Sequence, residues 1–184
     1  MKDKLKQIED AYVVTLPGAL KRMATPERLA AVFIPYFAWD SEPEDHAELG
    51  QQIYLLGESY FSKLGNDPEE LSGAFSWPNI CEESSQSIDD DNLRNLLLQW
   101  YTYQNDNDST IGEEVLLAQI GQAVTAACRR LNAMTWPSEQ FTEDFVVFSQ
   151  CMADESTQYG ITASVTPEWL ARMKAKGLFQ SWLT

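Results

Sequence analysis

The sequence predicts an α+β (or α/β) fold: a small mixed β-sheet covered by several helices, in one domain spanning residues 1–184. Three observations predict it. Residues 30–39 and 145–148 are apolar and rich in β-branched and aromatic side chains, as buried strands are. Other segments repeat apolar residues at helical spacing, with acids at the start and bases at the end. The chain has 184 residues, 44% of them hydrophobic, which suffices for one core.

Residues 2–15 read as a first helix, with Leu5, Ile8 and Tyr12 on one side and Pro17-Gly18 interrupting it. Residues 19–24 fit a further short helical turn. Thr25-Pro26-Glu27 is ambiguous punctuation that matches a cap followed by proline. The run 30–39 reads as a buried strand, with Pro35 at an edge or a bulge, and stops at Asp40. Leu49, Ile53, Leu56, Tyr60 and Leu64 predict a helix over 45–64, closed by Gly65-Asn66. Asp67-Pro68-Glu69-Glu70 reads as a loop or short turn, and Phe75-Ser76-Trp77-Pro78 as extended chain.

A helix over about 89–104 follows, with Leu93, Leu96, Leu97, Trp100 and Tyr101 on one face. Asp89, Asp90 and Asp91 suit its positive N-terminal end. Residues 104–110 read as a loop. The longest helix covers about 111–134, with Leu116, Ile120, Val124, Ala127 and Leu131 in its apolar stripe. Glu113-Glu114 and Arg129-Arg130 match the dipole at its two ends. Trp136-Pro137 stops it. Residues 145–148 form the second strand, and Ile161 to Val165 a further short one. Thr166-Pro167-Glu168 opens a last helix that Gly177 ends.

The charge is unevenly spread. Residues 29–128 hold 18 Asp and Glu against two bases, Lys63 and Arg94. The other 84 residues hold 10 acids and 11 bases, so the net −15 comes from the middle of the chain. Such a bias costs stability through self-repulsion, and it fits either a well-solvated acidic protein or a surface that meets a basic partner. It argues against nucleic-acid binding and against anionic membrane surfaces. No apolar run reaches the length of a membrane span, and the charged start Met1-Lys2-Asp3-Lys4 has no apolar signal core. A cytoplasmic location is therefore expected. Cys81, Cys128 and Cys151 are odd in number and widely spaced, so neither a disulfide framework nor a zinc site is expected. Cys128 reads as a small buried hydrophobe.

No strong catalytic motif occurs. The single histidine, His46, lies among Glu44, Asp45 and Glu48, where a general base is conceivable, but it reads as an exposed residue near a helix start. Nucleophile-elbow and glycine-rich phosphate motifs are missing. Asp106 to Gly112 begins like a calcium loop. It has Ile111 where the turn requires glycine and Leu117 where a bidentate glutamate belongs. No metal and no organic cofactor is expected. Trp39, Trp77, Trp100 and Tyr101 could line a pocket, although core packing explains such aromatics more often.

The strand at 32–39 with its acidic end is followed by Ser76-Trp77-Pro78, then by Phe145–Phe148 running toward Asp154-Glu155, then by Val165-Thr166-Pro167-Glu168. This order resembles an uncharacterised bacterial family of small acidic α/β proteins, some of which look like immunity proteins of toxin systems. The resemblance covers most of the chain and implies no catalytic residues. It implies an interaction protein that binds and neutralises a basic, toxin-like protein. The densest acids are Asp40, Glu42, Glu44, Asp45, Glu82, Glu83, Asp89, Asp90 and Asp91, with Trp39 or Trp77 as an aromatic anchor. That docking surface requires segments 40–45 and 82–91 to be neighbours. The alternative is a small-ligand binder or an enzyme that works through two convergent carboxylates.

Overall fold

The structure is a computed structural model that describes residues 1–23, 25–36, 42–63, 86–151 and 162–177. Its centre is β1 (Leu29–Tyr36), buried on both faces, which explains the unbroken apolar run there. β2 (Gln52–Gly57) pairs with β1 antiparallel, and β3 (Gln86–Ser87) pairs with β2 antiparallel. β4 (Phe141–Cys151) pairs with β1 in parallel. The sheet is therefore mixed and four-stranded, in the order β3-β2-β1-β4, and the fold is α+β.

Helices cover both faces. On one side lie α1 (Lys2–Arg22), α2 (Pro43–Leu49), α4 (Asp91–Ile111) and α5 (Glu113–Asn132). Their apolar stripes meet Val32, Ile34, Ile53, Leu55 and Val147. On the other side, α6 (Pro167–Ala175) brings Trp169 and Met173 to Phe33, Tyr54, Leu56, Val146 and Phe148. The short α3 (Glu58–Phe61) adds Tyr60 and Phe61 to that second cluster. The alternation of these strand residues between two clusters is the period-two rule of a pleated sheet.

Several boundaries differ from the sequence reading. α1 runs through Pro17. Leu16, Ala19 and Leu20 continue the buried face of Ile8 and Tyr12, and that burial outweighs the hydrogen bond proline removes. Pro35 lies past the last β1–β2 pair, Phe33↔Tyr54, so its missing N–H interrupts no pairing with β2. The bulge sits instead between Leu29 and Ala31, which face Phe141 and Val146 of β4.

The expected helix 45–64 is instead α2, β2 and α3. Ile53, Tyr54, Leu55 and Leu56 are four consecutive buried residues, which a two-faced strand can bury and a one-faced helix cannot. The expected loop at 104–110 is helix, and α4 turns into α5 at Gly112 alone, whose φ of 95° is the left-handed region open to glycine. Residues 162–164 are helical rather than a strand. The cap at Thr166 is as expected, its hydroxyl accepting the Trp169 N–H at 3.2 Å.

Candidate functional site

The predicted docking residues separate into groups. Asp40, Glu82, Glu83, Trp39 and Trp77 lie outside the described residues. Glu42, Glu44 and Asp45 are exposed at the start of α2. At the start of α4, Asp89 and Asp91 are exposed, while Asp90 is occupied as the helix cap. The Asp90 carboxylate accepts the Leu93 N–H at 2.8 Å, and its own N–H donates to Gln51 Oε1 at 2.8 Å.

The packing of α2 on α4 decides how these groups relate. His46 stacks on Tyr101 with ring centroids 4.9 Å apart, Arg94 pairs with Glu48 at 3.0 Å, and Gln51 meets Asp90. The two helices therefore run antiparallel. The α2 acids lie beyond Tyr101, toward the C-terminal half of α4. The aspartates at 89–91 lie at the other end of the contact, about 15 Å away along the helix from Asp91 to Tyr101. His46 is buried in this contact, 7% exposed, and not on the surface where it was expected. Its ring is amphipathic, and Tyr101 supplies a flat apolar partner.

The same geometry brings other acids into view. Beyond the C-terminal half of α4 comes the turn into α5, with Asp106, Asp108, Glu113 and Glu114 all exposed. Ile111 and Val115 sit among them with 37% and 50% of their surface in solvent. No Lys or Arg occurs between Arg94 and Arg129. The start of α2 and the α4–α5 turn thus both lie toward the C-terminal end of α4, an acidic end dotted with apolar side chains. The sequence reading divided these acids between a loop and a separate helix start. The gap without bases was the signal that could have joined them.

A cleft of about 470 Å³ opens between the α5–β4 connection and α6. Its aromatic wall contains Trp136, which lies 4.8 Å from Phe141 and 4.9 Å from Phe145 between ring centroids. Its charged groups are largely engaged. Arg28 makes a two-pronged contact with Glu58 at 2.9 and 2.6 Å, and Arg172 pairs with Asp144 at 3.0 Å. The Glu168 carboxyl is held below its ordinary range by its own backbone N–H and by the Thr166 hydroxyl. Trp100 and Tyr101, expected either to line a pocket or to pack, are core residues, 0% and 3% exposed.

Among the described residues no cluster of three or more His, Cys, Asp or Glu is placed to hold a metal ion, and no helix is long and apolar enough to cross a membrane. Cys128 is fully buried on the inner face of α5, beside Ser149 and Ser164. Burial pushes its thiol up to about 12, which makes it a poor nucleophile. No protein-family model, no curated protein and no solved structure matches this chain.

Proposed function

We propose that this protein binds and neutralises a basic protein partner, in the manner of an immunity protein set against a bacterial toxin. One observation carries the reading. Glu42, Glu44, Asp45, Asp106, Asp108, Glu113 and Glu114 are all exposed, and the antiparallel contact of α2 with α4 turns the first three toward the C-terminal half of α4, in a sequence without a base between Arg94 and Arg129. Exposed carboxylates of one sign steer an oppositely charged protein and raise its association rate by about 10–10³-fold. Steering alone does not hold a complex together. Ile111 and Val115 offer the apolar contacts that a charged rim surrounds in stable interfaces.

The test uses the partner captured by immobilised protein at low salt. Its association rate is measured against ionic strength for the wild type and for a variant carrying Glu44→Lys, Asp45→Lys, Asp108→Lys and Glu113→Lys. The expected outcome is slower association and a flatter salt dependence, with an unchanged urea midpoint. Identical rates and slopes would leave the acidic end as ordinary solvated surface.

A further inference from the structure

We propose that a recess at the carboxyl ends of β1 and β4 binds a small oxyanion, held by Gln122, Thr125 and Arg129 of α5. This inference is independent of the acidic surface. β1 and β4 run parallel, and Tyr36 pairs with Cys151, so both strands end on the same side of the sheet. A recess of about 240 Å³ lies there, between α5, Tyr36 and Ala163. That volume suits a phosphoryl or carboxylate group with a few further atoms, and lies below the usual range for drug-sized ligands.

The wall of the recess is built from one stripe of α5. Ala118, Gly121, Gln122, Thr125 and Arg129 recur at three- and four-residue spacing, so they share a face. Gly121 is the device that admits Tyr36. A Cβ there would lie 2.9 Å from the tyrosine ring, so only glycine lets the ring lie against the helix.

The polar groups are mainly donors. Arg129 Nε donates to the Ala163 carbonyl, which fixes the guanidinium, and neither Nη group has a partner among the described residues. Arg28, Arg94, Arg130 and Arg172 each pair with a carboxylate, in a chain that holds 28 acids. Arg129 pairs with none among the described residues. Thr125 Oγ1 lies 3.0 Å from Ser149 Oγ, which lies 3.4 Å from Ser164 Oγ, and both serines are completely buried. With Ser149 as donor, the Thr125 hydrogen is left for the recess. A forked guanidinium, a hydroxyl and a carboxamide, with no carboxylate among the described residues of the lining, match a planar or tetrahedral oxyanion.

The experiment is an amide NMR titration of the full chain with sodium phosphate, phenyl phosphate and sodium acetate, at constant pH and ionic strength. Saturable shifts at Gln122, Thr125 and Arg129 are expected. Response to both phosphates alone identifies a phosphoryl ligand, response to acetate alone a carboxylate, and equal response to all three a site for either oxyanion. Arg129→Gln and Thr125→Val should each weaken binding about tenfold, the effect of one charge-assisted or buried hydrogen bond. Arg130→Gln removes the same charge one residue away, from a guanidinium held by Glu9 and Asp10, and should bind as the wild type does. If Arg129→Gln does not fold, Thr125→Val decides the matter. Overturning results are the absence of saturable shifts with all three anions, undiminished binding by the Arg129 and Thr125 variants, or an equal loss in Arg130→Gln.

Discussion

Cys128 shows how burial alone sets the chemistry of a side chain. Its thiol is surrounded by the α5–β4 core, and desolvation of the thiolate, opposed by hydrogen bonds with Ser149 and Ser164, raises its pKa from 9.0 to about 12. The raised value means that the folded state keeps a proton that the unfolded state loses above pH 9. Stability from this group is therefore complete below pH 9 and is lost as pH rises toward 12, by at most about 1.4 kcal/mol per pH unit. Urea midpoints from pH 8 to 10 should fall for the wild type and fall less steeply for Cys128→Ala. Alkylation mapped by mass spectrometry should likewise find Cys128 unmodified until the protein unfolds. Prompt labelling in the native state would show that the side chain is reachable. The sequence disclosed this residue, because a cysteine within an apolar helical stripe has no other natural place. It did not disclose His46, since three neighbouring carboxylates suggested solvent while the face of α2 turned toward Tyr101 decided burial.

At the scale of elements, α5 is the principal helix of the core. Leu116 and Leu131 stand about four turns apart on its stripe, and both are fully buried. Leu116→Ala or Leu131→Ala should each cost about 2–5 kcal/mol, measured by urea midpoints. Losses below about 0.5 kcal/mol at both sites, the range of ordinary surface substitutions, would contradict the packing. This helix was legible because its apolar period, its acidic first turn and its basic last turn agree. The region 45–64 was not, because Leu49, Ile53, Leu56 and Tyr60 fit a helical period while residues 53–56 also form a continuous apolar run. Short runs of this kind satisfy both periods, and the open edge of β1 settled the choice through pairing that is distant in sequence. The α4–α5 turn was hidden for a different reason. Asn105 to Ser109 have poor helix propensity, yet α4 continues through them because its buried first half has already met the cost of nucleation. The candidate docking acids were legible as a composition and not as a surface. Which acids share one end depends on α2 lying antiparallel on α4, which no local pattern encodes.

For the molecule as a whole, the unequal charge sets a balance between repulsion and pairing. The ion pairs of Arg130 with Glu9 and Asp10, of Asp144 with Arg172 and Lys176, and of Arg28 with Glu58 involve partly exposed side chains. Pairs of that kind are each worth at most about 1 kcal/mol in water. Opposing them is a net charge of −15, most of it gathered in residues 29–128. Raising ionic strength from about 0.01 M to 0.15 M shortens the screening length from about 30 Å to 8 Å. The ion pairs span 4 Å or less and lose little, whereas repulsion among carboxylates spread over the acidic end loses much of its reach. Sodium chloride over that interval should therefore raise the urea midpoint. Asp106→Asn with Asp108→Asn should raise the midpoint at low salt and reduce its salt dependence, because two of the repelling charges are gone and both stood near the negative C-terminal end of α4. Falling stability with added salt would mean that the ion pairs outweigh the repulsion. In that case the acidic end would carry no stability cost, and its charge would need no partner to explain it.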